Sequence, residues 1–576
     1  MTVSGWTQIA IFIVVLTALT PLLGGYMARV YQGRRVVLSP VAAPVERVLY
    51  RVLCVDPGED QDWKAYARSL LIFSLGSWLA LYAVLRTQGV HPFNPQGFVS
   101  GPWDLSFNTA SSFVSNTSWQ YYAGETTLSY FSQMAGITVA SFTSMAVGMV
   151  VAVALIRGWV RRETSLLGNF WVDLTRSLVY VVVPLSILGG LFLVSQGVIQ
   201  NLAHYVTAAG PTRIGQTIAM GPVASQEAIK LLSGDGGGFF NTNSAHPFEN
   251  PTGLTNFVEA LLMLAIPAAM TYTFGRMVGR RRQGWALYAA MLVLFTVGVG
   301  VLYAAEAHGT PAMHAAGLHG ANMQDKEQRF GAAGSALFVQ TGTASGDGAV
   351  NSGIEAFTGL GSAVAMSNIM TGEVIFGGPG SGLFGMLLLV VAAVFIAGLM
   401  VGRTPEYLGK KIGIREIKLA SLGILFVPIL AVTMTAIAIS TQAGRQSIFA
   451  HGPQGFSESL YAYLSMANNN GSAMAGYSGF LQPLAGNVGA HGIAFADIAG
   501  GLVMLLGRFV PILLVLGLAG SLAGRRTTPA GLGTLRTDTP TFVVFLVGFV
   551  IIFALLNFLA ALFLGPLVQS LTQHLY

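Results

Sequence analysis

Ten stretches of roughly 20 or more apolar residues run through this chain of 576 residues, and nothing constrains its folding more. A run of that length is what a helix needs to cross a bilayer core of about 30 Å. The stretches lie near 6–28, 69–88, 132–156, 177–199, 254–275, 285–305, 353–402, 419–441, 490–516 and 541–567. The seventh holds 50 residues, too many for one straight helix. Hydrophobic residues make up 53% of the chain and charged residues 9%, a balance that a soluble domain does not sustain. The expected fold is an all-α polytopic membrane protein of about ten transmembrane helices. The first stretch lacks a basic leading region and a small-residue cleavage site, so it reads as a first span and not as a secretion signal.

Basic residues set the expected orientation. The loops 29–68, 157–176, 276–282, 403–418 and 525–536 carry 7, 4, 4, 5 and 3 of them, 23 of the 30 in the chain. The alternate loops carry only Arg213, Lys230, Lys326, Arg329 and Arg445. Cytoplasmic loops are the ones enriched in Lys and Arg, so the base-poor side faces outward and both termini lie outside. The net charge of +6 then reflects topology and the lipid bilayer, and no nucleic-acid partner is implied. Cys54 is the single cysteine, which rules out an intrachain disulfide and supports no Cys-based metal site. It reads as an unpaired thiol in a cytoplasmic loop.

Between the spans, four short patches rich in Gly and Asn recur on the base-poor side. They are Ser115-Asn116-Thr117, Asp235-Gly236-Gly237-Gly238, Asp347-Gly348-Ala349 and Asn470-Gly471-Ser472. Asn116, Gly236, Gly348 and Gly471 are spaced by 120, 112 and 123 residues. Each patch follows a segment long enough for half a span, with expected starts near Asp104, Pro222, Gln328 and Ser457; Asp104 and the Ser457-Glu458 pair suit helix N-termini. The chain thus divides into 1–68, holding the first helix and a base-rich loop, four units of helix, pore loop and helix at 69–156, 177–275, 285–402 and 419–516, and 541–576 with the last helix. Internal repeats of this kind predict pseudo-symmetry, with the functional site, a central filter, on the axis.

Small residues let backbone carbonyls line a narrow pore, where they replace a cation's water. A half-helix entering from outside also turns its negative C-terminal end toward the bilayer centre. Hard divalent cations normally recruit several carboxylates, and only Asp235 and Asp347 border the marks, so carbonyl coordination of a monovalent cation is favoured. Potassium fits best, although sodium and ammonium use the same donors. The filter set is Asn116, Thr117, Gly236, Gly237, Gly348, Ala349, Gly471 and Ser472, with Asn470 beside it. Asp235 and Asp347 either concentrate cations or cap backbone amides. Lys230 reads as a structural cation against helix-end carbonyls, and Gln120 as a brace for the first patch. The rival reading of the patches is ordinary outer loops rich in turn residues, which explains one patch more easily than four at matching positions.

At these residues the chain resembles the potassium-binding A subunit of the bacterial Kdp potassium-transporting ATPase. The matching stretches are Ser115-Asn116-Thr117-Ser118-Trp119-Gln120, Gly236-Gly237-Gly238-Phe239-Phe240-Asn241, Gly348-Ala349-Val350-Asn351, Asn468-Asn469-Asn470-Gly471-Ser472, Gly372 to Gly378 and Gly402 to Tyr407. The resemblance implies a fold from the superfamily of potassium channels and transporters, with one extra span before the four units and one after. One position departs: Asp347 stands where that family carries a small or uncharged residue, which bears on affinity and selectivity and leaves the class unchanged.

Two further features lie inside the apolar stretches. Thr371 to Gly382 holds five glycines and Pro379, which breaks a helix. Glu373, Gly377 and Gly378 sit there, either as a gate beneath the filter or as a re-entrant loop that only packs. Arg508, inside the ninth stretch, costs roughly 2.5–3.5 kcal/mol at mid-membrane and should face the interior. It acts either as a barrier to passive leak or as a partner of Glu373 or of a backbone carbonyl. His308, His314 and His319 cluster in an outer loop without metal-site spacing and read as solvated surface.

No Gly-x-x-x-x-Gly-Lys-Ser/Thr loop occurs, and Asp325-Lys326-Glu327 does not match the phosphorylated Asp-Lys-Thr-Gly-Thr motif. The chain therefore has no catalytic residues and no bound cofactor beyond the transported potassium ion. It is expected to select and conduct while a partner hydrolyses ATP. The resemblance implies which partners: a P-type ATPase subunit and two small membrane subunits, in the bacterial inner membrane, with potassium moving laterally to the ATPase subunit. A stand-alone potassium channel or ion-coupled permease, and a noncatalytic scaffold, are the alternatives.

Overall fold

A computed structural model describes residues 1–209, 215–479, 494–529 and 534–571. Arg213 and the first four residues of the expected ninth span, 490–493, lie outside them. Ten of the described helices are long and apolar enough to cross a membrane. They are Val3–Tyr31, Trp63–Arg86, Ser132–Val160, Phe170–Ser195, Gly253–Met277, Arg281–Ala315, Ser381–Met400, Ile414–Ser440, Phe495–Ala523 and Pro540–Leu564. Their starts follow local chemistry. Thr2, Asp62, Thr252 and Thr539 each accept a backbone N–H from the first turn of the helix that follows, satisfying donors with no intrahelical partner.

Burial sorts these helices into inner and outer ones. The most apolar window of Ser132–Val160 is 83% buried, against 22% for Pro540–Leu564 and 28% for Val3–Tyr31. The first therefore lies at the centre and the other two offer Leu, Ile and Val side chains to lipid. At one end of the bundle the Arg157 guanidinium grips the Asp173 carboxylate with two bonds, at 2.5 and 2.7 Å. At the same end Lys410 Nζ donates to the carbonyls of Gly158, Arg161 and Leu522, closing the last turns of two central helices.

Four shorter helices are buried among the spans: Trp103–Val114, Val223–Ser233, Gly331–Ala344 and Gly452–Asn468. Three begin within three residues of the expected starts. The fourth begins five residues before Ser457: Pro453 occupies its first turn and Ser457 lies inside it, donating to the Pro453 carbonyl. Proline is pre-set for that first turn, a signal that outranks the Ser-Glu pair. The 50-residue stretch is interrupted, as its glycines require. Gly359–Met370 ends, residues 371–380 are non-helical, and Ser381–Met400 resumes.

Candidate functional site

Each of the four short helices ends one to three residues before one of the four patches. Their C-terminal ends carry partial negative charge, so four dipoles converge where the patches meet. The patches close on one another in chain order. A Cβ built on Gly237 would lie 2.9 Å from Ser118 Cβ, one on Gly236 would fall on the Gly348 backbone nitrogen, and one on Gly348 would lie 2.5 Å from the Gly471 carbonyl carbon. A Cβ on Gly471, at φ 98°, would overlap the Thr117 carbonyl oxygen. The first patch thus meets the second, the second the third, the third the fourth, and the fourth returns to the first.

Asparagine amides strut this ring. Asn116 Nδ2 donates to the carbonyls of Ser233 and Gly234 at 3.1 and 2.9 Å, satisfying the end of the second short helix. Asn470 Nδ2 does the same for Gly342 and Ser345 at the end of the third. Asn469 Nδ2 crosses to Thr117 Oγ1 at 2.9 Å. Ser472 is fixed by its N–H to Asn470 Oδ1, 3.1 Å, and by a hydroxyl contact with Tyr461 at 2.7 Å. Among the described residues, the Asn116, Gly348 and Gly471 carbonyl oxygens receive no hydrogen bond. No group of three His, Cys, Asp or Glu side chains able to hold a metal ion occurs among the described residues. Beside these backbone oxygens, Asn116 Oδ1 is buried and has no hydrogen-bond partner among the described residues.

The two aspartates differ in role. Asp347 Oδ1 accepts the Ala349 N–H at 2.9 Å, which is the amide-capping role, while Oδ2 is buried without a partner. Asp235 is buried with the hydroxyls of Ser118, Ser141 and Ser233 around it and, among the described residues, no hydrogen bond closed to either oxygen.

Two supporting residues sit differently from the expectation. Gln120 Oε1 accepts the Gly238 N–H at 2.8 Å, so its amide braces the second patch and not the first, which it follows. Lys230 meets side chains instead of helix-end carbonyls: Glu227 at 2.6 Å, Asn243 Oδ1 at 2.8 Å, and Ser244 Oγ and Glu249 at 3.1 Å. Asn243 in turn donates from Nδ2 to the Gly236 carbonyl oxygen at 2.8 Å. Asn243, Asn469 and Glu249 were not singled out from the sequence. The available signal was a set of acids, Glu227, Glu249 and Glu259, in a chain that carries few, since intramembrane charges mark working regions.

Below the ring lies the non-helical segment. Gly377 N–H donates to the Ala344 carbonyl at 3.2 Å, the last turn of the third short helix. Glu373 is 4% exposed with Oε1 unpartnered, and Glu373 Oε2 stands 3.1 Å from where a Gly346 Cβ would be. A Cβ on Gly378 would meet Ser381 Oγ at 2.7 Å, and Pro379 packs under Gly234. Arg508 Nη2 donates to the Ser144 carbonyl at 3.1 Å, and its Nε is buried without a partner among the described residues. No ion pair forms between Arg508 and Glu373 among the described residues. Both line a cavity of about 90 Å³ that continues past Leu388 and Pro428 to Phe553.

Residues 10–571 match the family model described as the potassium-transporting ATPase A subunit. The chain belongs to that family. Among its relatives, the potassium-transporting ATPase potassium-binding subunit of Methylobacterium nodulans is 52% identical over 571 residues, covering 99% of this chain and 98% of its own. The protein of the same name from Granulibacter bethesdensis is 51% identical over 575 residues, covering 100% and 99%. The A-subunit match takes in all four short helices, the closed ring and the broken span beneath it.

Proposed function

We propose that this chain is the potassium-selecting and potassium-translocating subunit of an ATP-driven potassium importer. The observation that carries the reading is the closure of four patches, far apart in sequence, into one ring in chain order. The ion binds from the extracytoplasmic side at the carbonyls of Asn116, Gly236, Gly348 and Gly471, with Thr117, Gly237, Ala349 and Ser472 next along the path. Four units, 69–156, 177–275, 285–402 and 419–516, surround it as pseudo-repeats. The segment holding Glu373, Gly377 and Gly378 gates the lower end, and the charge on Arg508 opposes straight passage. The ion then leaves laterally, in the direction of the cavity between Glu373, Arg508 and Phe553, to a P-type ATPase subunit assembled with two small membrane subunits. The base-rich loops lie in the cytoplasm of a bacterial inner membrane and both termini lie outside.

Hydrolysis belongs to the partner, so the test uses the assembled complex. Potassium-dependent ATP hydrolysis is measured for wild type and for Gly348→Asp, whose side chain intrudes on the Gly471 and Ser472 backbone. A rise in the potassium needed for half-maximal hydrolysis places the selecting site here. Potassium flux into liposomes by this chain alone, with no ATPase copurifying, replaces this reading with a channel or permease.

A further inference from the structure

Between the first two spans, Val3–Tyr31 and Trp63–Arg86, the chain forms the helix Ser39–Val52. One face of it, Ala42, Glu46 and Tyr50, is buried against the bundle. Its exposed side carries Pro40, Pro44, Arg47 and Arg51 and a stripe of valines: Val37, just ahead of the helix, then Val41, Val45, Val48 and Val52, exposed by 89, 74, 45, 56 and 71%. Five valines at helical spacing, open to the surroundings, with Arg47 and Arg51 beside them, make an amphipathic helix suited to the bilayer interface. Its ends join membrane spans, which holds it near that depth.

At the start of this helix is a cavity of about 410 Å³ lined by Arg34, Arg35, Ser39, Glu46, Arg176 and Tyr180. Glu46 is the sole acid among residues 1–55, and it is already spent. It accepts from Tyr50 Oη at 2.6 Å, Tyr180 Oη at 2.6 Å and Arg176 Nε at 2.9 Å. Burial raises its carboxyl, and those three hydrogen bonds more than offset the rise and keep it ionised. Arg176 uses only Nε in that pair. Its two Nη groups have no protein partner among the described residues and lie beside Gly33 at the cavity wall. Among the described residues, the Arg34 and Arg35 side chains have no protein partner either. Ser39 Oγ accepts the Val36 N–H at 2.8 Å, which leaves its proton for an acceptor in the cavity. Three guanidinium groups against one consumed carboxylate is a surplus of two positive charges lining this partly open cavity. Planar guanidinium forks suit phosphate oxygens.

We infer that this cavity binds the phosphate headgroup of an anionic phospholipid from the leaflet on the base-rich side, with the valine face of Ser39–Val52 lying among the acyl chains. The valines favour a lipid over a soluble anion, because free phosphate gives them nothing to bury against. The inference needs only the membrane-spanning fold and does not depend on the potassium reading.

The test uses the intact complex with its copurifying partners in nanodiscs of phosphatidylcholine, with phosphatidylglycerol as the probe lipid. Wild type should retain phosphatidylglycerol over phosphatidylcholine in native mass spectrometry. The double variant Arg34→Gln, Arg35→Gln should lose that preference by roughly 25-fold, at about fivefold per interfacial arginine. Arg176 is left intact because it also holds Glu46. The charge-neutral variant Val41→Gln, Val48→Gln should weaken retention of both lipids. Undiminished preference in the arginine variant overturns the inference. So does equal thermal protection of wild type by inorganic phosphate, which marks a soluble-anion site. A third contrary result is protection of Arg34 and Arg35 from an arginine reagent in lipid-free detergent, because only a partner subunit covers them there. Reactivity in detergent and protection in phosphatidylglycerol nanodiscs is the supporting pattern.

Discussion

Asn243 donates from Nδ2 to the carbonyl oxygen of Gly236 at 2.8 Å, and Lys230 leaves the amide no other orientation. The Lys230 ammonium and the Ser244 N–H both donate to Asn243 Oδ1, at 2.8 and 2.9 Å, so that side must be the oxygen. The Gly236 carbonyl is therefore tethered from outside the ring, while its three counterparts receive no hydrogen bond among the described residues. A tethered oxygen suits one ion radius, whereas free ones adapt. Asn243→Asp, which keeps the shape and removes the donor, should raise the potassium needed for half-maximal hydrolysis by about five- to tenfold, the cost of one hydrogen bond of about 1 kcal/mol. It should also narrow discrimination between potassium and rubidium. Unchanged values for both ions in a normally assembled complex would remove the tether from the selecting machinery.

Gly471 is the ring position least able to accept a side chain. Its φ is 98°, and a Cβ there overlaps the Thr117 carbonyl while standing 3.1 Å from the Asp235 carbonyl. Gly471→Ala must move one of those oxygens, and strain of about 1–3 kcal/mol is typical of such a residue. Potassium affinity should fall by about tenfold or more in a complex that still assembles. Gly517→Ala is the control, because its Cβ meets only Leu419 methyls at 3.7 and 3.8 Å and should leave transport unchanged.

What the sequence makes legible here is what short range decides. Twenty apolar residues in a row have one stable solution in a bilayer, so the ten spans can be read directly. Glycine and asparagine stand out against such a background, so the patches can too, as can the break at Thr371 to Gly382. The struts cannot be read. Asn469 and Thr117 touch across 352 positions of sequence, and nothing near either residue announces the other. Lys230 misleads for the same reason. Its position near a helix end suggests carbonyl partners; Glu227, three residues before it on the same helix, is a local acid, but Glu249 arrives 19 residues later from a loop that folds back over the patch. Gln120 likewise serves the patch beside it in space and not the one before it in sequence.

His246 should make the loop that follows the second patch sensitive to acid. Its ring stacks flat on Phe240, with centroids 3.6 Å apart, and its Nδ1 accepts the Phe248 N–H at 3.1 Å. Burial, helped by the Arg329 guanidinium and only partly countered by Glu327, lowers it from 6.5 to about 4. The unfolded chain therefore takes up a proton between pH 6.5 and 4 that the folded chain refuses. The stabilising contribution is complete above pH 6.5 and drains away as pH falls toward 4. The melting temperature of wild type should drop across that window. His246→Asn, which keeps an acceptor for Phe248 and cannot titrate, should show a flatter profile, and parallel profiles would clear His246 of the effect.

Arg508 separates charge from structure in a way that one substitution can test. Its only hydrogen bond among the described residues goes from Nη2 to the Ser144 carbonyl, a bond that a glutamine amide is able to replace. Gly148 allows the guanidinium to lie close, since a Cβ there would stand 3.0 Å from Nη2. At about 8 Å and an effective dielectric of about 20, a unit charge opposes a passing cation by ~2 kcal/mol, or about thirtyfold in passage. Arg508→Gln should therefore leave the complex assembled while raising passive potassium leak from loaded proteoliposomes by tens-fold and lowering potassium moved per ATP. Arg508→Lys should retain most of the barrier, because the charge stays. Leak equal to wild type in both variants would reduce Arg508 to a clasp on Ser144, and leak in both would trace the barrier to guanidinium geometry instead of charge.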